Sequence, residues 1–240
     1  MFDRRLRRSV NRAILSAKHP QFAARLRDYG YEIIQSETIP CNMPYERDHA
    51  DLQCLILDDT AFVLSCCTRL FEVLSRDYHV ISCGEGFTGR YPDNTCLSAV
   101  TCGDKLIGRI ASLDEKIKAY CHDHEIELIH VNQGYAKCSC VQIAENAVIT
   151  ADNGIIRVLR NKEIDVLPIG KGSVRLYGAE YGFLGGASGY DRDKHTVYFC
   201  GDIDRHPDSE RIKRFCEIHH TKVISLSDDE LTDIGGIIFC

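Results

Sequence analysis

Residues 138–169 read CSCVQIAENAVITADNGIIRVLRNKEIDVLPI, and this stretch decides the fold. Side chains at 138–143 alternate as in a half-buried strand, and a turn at 144–146 leads into a second strand at 147–150. A helical segment follows, and then a third strand at 165–169. The stretch therefore predicts a ββαβ unit.

The same unit recurs along the chain. Strands that lead into a helix are predicted at 12–16, 61–65, 105–109, 147–150 and 196–200. Strands that follow the helix are predicted at 31–35, 78–82, 127–131, 165–169 and 221–225. Further first strands at 52–57 and 95–101 complete hairpins like that of 138–150. Such recurrence is typical of a repeat architecture, which dictates the whole fold.

The two ends of the chain complement each other. The first repeat, 11–40, has no first strand of its own, whereas 234–240 ends in a strand without a partner. Pairing the two would close a ring and remove exposed sheet edges. The prediction is an α/β fold with one domain over 1–240: a five-bladed α/β propeller with pseudo-fivefold symmetry, its ring closed by the C-terminal strand. The other repeats are predicted at 49–86, 92–131, 136–172 and 186–228.

Composition and charge disfavour several classes of function. Hydrophobic residues are 44% and charged residues 27% of the chain, as in a globular protein with a sizeable core. The net charge of −6 argues against nucleic-acid binding. No apolar stretch reaches the roughly 18 residues of a membrane helix, so no membrane contact is predicted. The one basic cluster is interpreted as a solvated N-terminal turn; it consists of Arg4, Arg5, Arg7 and Arg8.

The thirteen cysteines are interpreted as reduced thiols. Their number is odd and no secretory signal precedes them, so a disulfide framework is not indicated. Several, such as Cys54, Cys66, Cys200 and Cys216, stand where a small apolar residue would serve. These features predict a cytoplasmic protein, either monomeric or homodimeric.

Five short stretches carry a resemblance to a known fold. They are NQGYAKC at 132–138, ITADNG at 149–154, YGFLGGASG at 181–189, FCGD at 199–202 and DIGG at 233–236. With the fivefold repeat, they resemble the pentein fold of guanidine-modifying enzymes, and more closely an uncharacterised bacterial family assigned to that fold. The resemblance implies a cysteine that attacks a guanidinium carbon, a histidine that transfers protons and carboxylates that hold the cation.

His49-Ala-Asp51 is similar to the His-x-Asp element of deiminases and amidinotransferases. The resemblance implies His49 as general acid and base, and Asp51 and Asp233 as carboxylates that orient a cation. Residues two apart on a strand point to the same side, so His49 and Asp51 are expected to face one channel. The alternative is a loop histidine beside a turn or capping aspartate.

Two cysteines are candidates for the nucleophile. Cys138 opens the first strand of the fourth repeat, where that strand leaves the channel mouth. Cys240 follows Gly-Gly-Ile-Ile-Phe at 235–239, which resembles the Gly-Gly-x-x-x-Cys stretch around the nucleophile of deiminases. Cys138 is the first choice and Cys240 the second. An inert packing thiol is the alternative for each.

Three more residues are candidates for substrate binding. Residues 182–189 hold four glycines, which would let backbone amides approach an anion; Gly186 and the Ser188 hydroxyl belong to this stretch. A tight corner between repeats is the alternative interpretation. Gln133, within 132–138, is the third candidate.

No cofactor and no metal site are predicted. The chain has no Cys-x-x-Cys spacing, and His219 and His220 are adjacent, so that their side chains would diverge. Asp202, Asp204 and Asp208 lie near a predicted helix start and are interpreted as caps.

The function hypothesis is a protein that binds or modifies a small polar molecule, with a guanidino or amidino group, in the central channel. An enzyme would be a hydrolase or amidinotransferase of the guanidine-modifying type. The alternative class is a non-catalytic binding or interaction protein, since one fold hosts many functions. A thiol-rich redox or metal sensor is the third interpretation.

Overall fold

The computed structural model describes residues 11–240, and the basic cluster at Arg4, Arg5, Arg7 and Arg8 lies outside them. The strands are β1 (Arg12–Leu15), β2 (Glu32–Gln35), β3 (Cys54–Leu57), β4 (Thr60–Leu64), β5 (His79–Cys83), β6 (Ala99–Cys102), β7 (Lys105–Gly108), β8 (Glu127–His130), β9 (Cys140–Ala144), β10 (Ala147–Thr150), β11 (Asp165–Pro168), β12 (Ser188–Asp191), β13 (Thr196–Phe199), β14 (Lys222–Ser225) and β15 (Ile238–Phe239). The helices are α1 (Pro20–Asp28), α2 (Thr68–Leu74), α3 (Glu115–Asp123), α4 (Ala136–Ser139), α5 (Asn153–Leu159) and α6 (Ser209–Ile218). None of these helices is long and apolar enough to cross a bilayer.

Five three-stranded sheets share one topology. In each, the middle strand pairs antiparallel with one neighbour and parallel with the other. The sheets have the strand orders β3-β4-β5, β6-β7-β8, β9-β10-β11, β12-β13-β14 and β15-β1-β2. A helix connects the two parallel strands of each sheet, as parallel pairing requires. The unit predicted from 138–169 therefore recurs throughout residues 11–240, and the predicted second and third strands are confirmed to within two residues.

The C-terminal strand β15 completes the sheet of the first repeat. Ala13 lies opposite Phe239 and Ile14 opposite Ile238 in an antiparallel ladder. The backbone of Arg12 exchanges two hydrogen bonds with that of Cys240, of 2.9 and 3.0 Å. The strand thus occupies the position predicted to be vacant.

The middle strands are buried on both faces. Every residue of β4 is buried, as is every residue of β10 and β13. Phe62 of β4 packs edge-on against Tyr120 of α3, with 5.4 Å between ring centroids. Burial of one such side chain stabilises the fold by roughly 1.5–3 kcal/mol, which explains the β-branched and aromatic composition of these strands.

One cavity of about 340 Å³ lies among the first strands of the five sheets. Its wall takes a residue from each of them: Leu55, Val100, Val141, Tyr190 and Ile238. We call the end formed by residues that precede the first strands the leading end, and the end formed by residues that follow them the trailing end. Side chains that the sequence predicted as site residues, from different repeats, meet at the leading end.

Three first strands begin later than the sequence predicted. Starts were expected at 52, 95 and 138, but the strands begin at Cys54, Ala99 and Cys140. Turns of helix occupy the preceding residues: 3₁₀ turns at Ala50–Leu52 and Asp93–Thr95, and α4. The expectation that His49 and Asp51 lie on a strand, and that Cys138 opens one, is therefore wrong. A tight turn, rather than strand alternation, sets the directions of their side chains.

Candidate active site

The backbone of the leading end joins segments that precede the first strands of four sheets. The Asp51 N–H donates to the carbonyl of Gly235 at 3.0 Å. The Gly186 N–H donates to the carbonyl of Cys138 at 3.0 Å, and the Gly236 N–H to that of Gly186 at 2.7 Å. These bonds fix the turns before β3, β9, β12 and β15 relative to one another. Side chains far apart in sequence are thereby held in one place.

His49, Asp51 and Cys138 form the central cluster, which we call the triad. A ring nitrogen, a carboxylate oxygen and the thiol sulfur all lie within 4.8 Å of one another. The Cys138 Sγ donates to Asp51 Oδ2 at 2.7 Å. All three residues are buried, with exposures of 6%, 1% and 2% in that order. The structure thus brings together the histidine, one carboxylate and the first-choice cysteine of the sequence prediction.

The two carboxylate oxygens of Asp51 differ in their hydrogen bonding. Its Oδ2 accepts from the Cys138 thiol, whereas Oδ1 is buried with no hydrogen-bond partner among residues 11–240. Burial raises the pKa of Asp51 to about 6, although the His49 imidazole lowers it in part. Asp51 also lines the central cavity. A donor placed in the cavity could therefore satisfy an acceptor that the protein leaves unpaired.

Cys138 lies on the short helix α4, where its surroundings disfavour the thiolate. Burial raises its pKa well above the ordinary value, and the negative charges of Asp51 and Asp233 raise it further. Lys137 opposes this shift in part. Because the thiolate is the nucleophilic form, a reaction at Cys138 needs a nearby cation or base.

The Asp233 carboxylate is hydrogen-bonded to backbone groups of the protein itself. Its carboxylate accepts the N–H of Phe183 at 2.9 Å and that of Gly235 at 3.0 Å. A Cβ at Gly186 would overlap both Asp233 oxygens, and one at Gly182 would crowd the Asp233 Cβ. The glycine-rich stretch 182–189 therefore packs around a carboxylate, but this carboxylate belongs to the protein itself. Both interpretations of the stretch, cradle and tight corner, describe part of this arrangement.

Gly235 lies directly against His49 of the triad. A Cβ at this position would overlap the backbone and ring of His49, and its φ of +76° is a conformation that favours glycine. The turn at 235–236 can therefore press directly against the histidine. The DIGG stretch is explained by this close approach.

The other predicted residues lie outside the triad. Ser188 is buried at the cavity wall, where its hydroxyl donates to the Gly185 carbonyl at 3.3 Å. Gln133 lines a second pocket of about 100 Å³, and its amide donates to Asp152 at 3.1 Å. Cys240 lines the central cavity as well, but at its trailing end, after β15. The structure does not join Cys240 or Gln133 to His49.

Sequence reasoning missed the charged neighbours of His49. The Asp48 carboxylate accepts from Lys18 at 2.5 Å and from Ser16, and these bonds lower the pKa of Asp48 although burial raises it. Burial lowers the pKa of His19, Asp48 raises it in part, and charge on His49 lowers it further. Asp48 directly precedes the His-x-Asp element, which is the only signal that could have pointed to it.

Comparisons with known proteins place this arrangement in a fold. A model of a family of unknown function (DUF6873) matches residues 14–238. No curated protein matches the chain. The computed fold is similar to a dimethylarginine dimethylaminohydrolase of Pseudomonas aeruginosa complexed with citrulline, with a TM-score of 0.57 at 13% identity over 90% of this chain and 92% of that one.

Two amidinotransferases give similar results. One acts in the saxitoxin biosynthetic pathway of Microseira wollei and matches with a TM-score of 0.53 at 11% identity, over 94% of both chains. The other is the inosamine-phosphate amidinotransferase of Streptomyces griseus, with a TM-score of 0.52 at 14% identity over 89% of this chain and 75% of that one. At these identities the likeness shows the fold, and the predicted resemblance to the fold of guanidine-modifying enzymes is confirmed.

Proposed function

The chain belongs to this family of unknown function, and we propose that its central cavity binds a small guanidino or amidino compound that pairs with Asp51 and reacts with Cys138. One observation carries the proposal. Asp51 lines the cavity and has a buried oxygen with no partner among residues 11–240, beside a thiol and an imidazole. An unpaired buried carboxylate is costly, and a planar cation rich in N–H donors would remove that cost.

The proposal includes a closed frame around the cavity. We take the five sheets as the blades of one five-bladed propeller that forms a single domain. Two observations support this: β15 pairs with β1, and each first strand contributes to the cavity wall. A closed ring would leave no sheet edge exposed and would hold the loops of several blades at one point.

A bound guanidinium would balance the charge of the leading end. Asp51 and Asp233 both act on the pKa of Cys138, so two carboxylates lie close to the thiol, with Lys137 and His49 as the nearby basic groups. A hydrogen bond to a buried carboxylate contributes about 1.5–3 kcal/mol to binding. The same cation would lower the pKa of the thiol, because an adjacent positive charge favours the thiolate.

The reaction would proceed in two steps. The Cys138 sulfur forms a bond to the guanidino carbon while its proton passes to His49. One C–N bond then breaks, and the departing amine takes this proton. In the second step His49 deprotonates a water, whose oxygen bonds to the same carbon, and the C–S bond breaks to restore the thiol. An amine in place of water would give amidino transfer instead of hydrolysis.

A binding protein without a covalent step is the second candidate, favoured by one observation. Cys138 is buried, and its raised pKa describes an unreactive thiol in the ligand-free protein. In this case the same cation would pair with Asp51, and Cys138 would only hold the carboxylate in place. The two candidates share the ligand and differ in its fate.

We propose a cytoplasmic location for this activity. Cys54, Cys200 and Cys216 are buried as reduced thiols, and burial raises the pKa of Cys216 to about 12. Such thiols pack as small apolar side chains and suit a reducing compartment. Whether the protein acts as a monomer or a homodimer stays a prediction.

The test is alkylation of each cysteine by iodoacetamide as a function of pH, read by mass spectrometry with and without a panel of guanidino and amidino compounds. We expect Cys138 to react slowly at neutral pH, to react faster as pH rises, and to be protected by one class of compound. The exposed Cys41 and Cys66 serve as internal controls, since no ligand at the triad should protect them.

The outcomes separate the two candidates. Release of an amine or a urea from the protecting compound would show the enzyme, and protection without release would show the binding protein. If no compound protects Cys138 while it alkylates at high pH, the proposed ligand class is wrong.

A further inference from the structure

The triad also holds the ligand types of a transition-metal site. It offers an imidazole nitrogen, a carboxylate oxygen and a thiol sulfur within 4.8 Å of one another. His49 and Asp51 come from the turn before β3, and Cys138 from α4, 87 positions beyond Asp51. We propose that His49, Asp51 and Cys138 bind one Zn²⁺ ion. A site assembled from two repeats leaves no local spacing motif, so the sequence could not indicate it.

The choice of zinc follows from the donor set. Thiolate, imidazole and carboxylate are the three donor types that Zn²⁺ takes in proteins, at distances of about 2.0–2.3 Å. The Cys138 Sγ and Asp51 Oδ2 already lie 2.7 Å apart, so a small separation of the two would admit an ion between them. Magnesium and calcium prefer oxygen-only sites and would not gain from the thiol.

An independent observation points to a ligand at this place. Asp51 Oδ1 is buried with no partner in the described part of the chain, while Oδ2 accepts from the Cys138 thiol. A thiolate at Cys138 would add a further negative charge beside Asp51, whose Oδ2 lies 2.7 Å from the sulfur. A divalent cation would compensate that charge, which burial makes expensive to leave unbalanced.

Backbone hydrogen bonds and close packing fix the positions of the triad residues. The Asp51 N–H donates a hydrogen bond to the Gly235 carbonyl, and Gly235 packs against His49. Three ligands leave the fourth tetrahedral position open, and Asp51 faces the central cavity. This position would point toward the same space that the organic ligand is proposed to occupy.

Binding would release one proton. The Zn–S bond forms with the Cys138 thiolate, and the thiol proton leaves to solvent. His49 binds through a neutral nitrogen, and Asp51 through its carboxylate. The affinity for zinc should therefore rise about tenfold per pH unit while the thiol is protonated in the free protein.

This inference does not rest on the proposed function, but it has a consequence for it. Zinc and a guanidinium would compete for Asp51 and for the thiolate, so zinc would block the proposed reaction. The alkylation test is therefore carried out with a chelator present. A negative result there does not bear on zinc, and a negative result with zinc does not bear on the organic ligand.

The experiment measures zinc binding by competition with a chromophoric chelator, and Co²⁺ binding by absorption. We expect one equivalent of zinc per chain and, with Co²⁺, the intense sulfur-to-cobalt charge-transfer band. Cys138→Ser keeps a donor to Asp51 but supplies a poor ligand, and should lose at least about 100-fold in affinity, since even indirect ligand contacts matter by 10–100-fold. His49→Ala should lose zinc affinity to a similar extent.

Cys54→Ala is the matched control, since Cys54 is another buried thiol, and it lines the central cavity as Asp51 does. It should bind zinc as the wild type does. Thermal unfolding in chelator checks that each variant is folded. Affinity unchanged in Cys138→Ser, or a cobalt spectrum without the charge-transfer band, would overturn the site; so would the absence of stoichiometric binding to the wild type.

Discussion

The leading and trailing ends of the central cavity carry similar side chains that differ in burial and in hydrogen bonding. At the leading end, His49, Asp51 and Cys138 are buried, and one Asp51 oxygen has no partner among residues 11–240. At the trailing end, charged groups line the same cavity, and Cys240 is only half-buried. One thiol therefore lies beside a carboxylate with one unpaired oxygen, at the leading end, and another thiol lies at the trailing end of the cavity.

Two cations of the trailing end, Arg12 and Lys105, form ion pairs near solvent. Arg12 forms ion pairs with Glu32, at 3.3 Å, and with Asp77. Lys105 pairs with Asp104 at 2.5 Å, and the Asp104 side chain is largely exposed. Solvent screening weakens such exposed pairs.

The difference teaches that a candidate site is marked by buried polarity without a partner, rather than by the number of charged residues. Both ends offer acids, bases and a cysteine to a ligand. Among residues 11–240, only the leading end lines the cavity with a residue that has an unpaired buried acceptor, Asp51, which a ligand could satisfy. The following predictions test this contrast.

The largest expected effect concerns the two thiols. Cys138→Ala should lower turnover of the compound that protects Cys138 by at least about 10⁴-fold, because loss of a nucleophile removes the covalent route. Cys240→Ala, at the trailing end, should stay within about threefold of the wild type. The measurement is steady-state release of amine or urea. A larger loss in Cys240→Ala than in Cys138→Ala would reverse the assignment of the two ends.

The second contrast concerns the two cavity aspartates, Asp51 and Asp58. Asp51→Asn should weaken binding of a guanidino ligand by about 100-fold, or about 3 kcal/mol, since the buried cation loses its counter-charge. Asp58 lines the trailing end and has a φ of +51°, which asparagine also adopts, so Asp58→Asn is a matched control. Calorimetry should show a change of less than about twofold for Asp58→Asn. Equal losses in the two variants would mean that the cation binds through the general charge of the cavity.

The third prediction concerns the glycines that enclose the leading end. A Cβ at Gly186 would overlap the Asp233 carboxylate, so Gly186→Ala should lower the free energy of unfolding by about 2–3 kcal/mol. Gly170→Ala is the control, because its nearest neighbour, Asp208 Oδ2, would lie 3.6 Å from the new Cβ. Denaturant titration should show a change of less than about 0.5 kcal/mol there. If Gly186→Ala is as stable as Gly170→Ala, the corner is looser than its contacts indicate.

The fold was largely predictable from the sequence because its signal repeats. Five copies of one strand and helix pattern each support the others, and the missing first strand of repeat one pointed to β15 as its partner. The exact starts of β3, β6 and β9 were not predictable. Short helical turns there are stabilised by bonds to distant segments, such as that from Asp51 to Gly235, which local alternation cannot reveal.

The site was predictable only in part. Sequence reasoning named His49 and Asp51, with Cys138 as the first choice of nucleophile and Cys240 as the second. No local pattern could place one thiol beside His49 and the other at the opposite end. The role of 182–189 as packing around Asp233 depends on a contact between residues about 50 positions apart. Such contacts are set by the tertiary fold, and the sequence gives no direct signal for them.

The smallest expected effect is a pH dependence of stability that separates Asp51 from Asp58. Burial raises the pKa of Asp51 to about 6 in the folded protein, whereas an unfolded aspartate has a pKa of about 3.9. Between about pH 4 and pH 6 the folded state thus holds more protons than the unfolded state, so stability falls as pH rises through this window.

The contribution of Asp51 should be lost at about 1 kcal/mol per pH unit up to about pH 6, and should stay constant above it. Asp51→Asn cannot titrate, so the difference in unfolding free energy between wild type and this variant should follow that slope. The Asp58→Asn difference should be flat over the same range. Parallel profiles for wild type and Asp51→Asn, measured by denaturant unfolding from pH 4 to pH 8, would mean that water reaches the carboxylate. In that case water would already donate a hydrogen bond to Asp51 Oδ1, and the oxygen would no longer indicate a ligand.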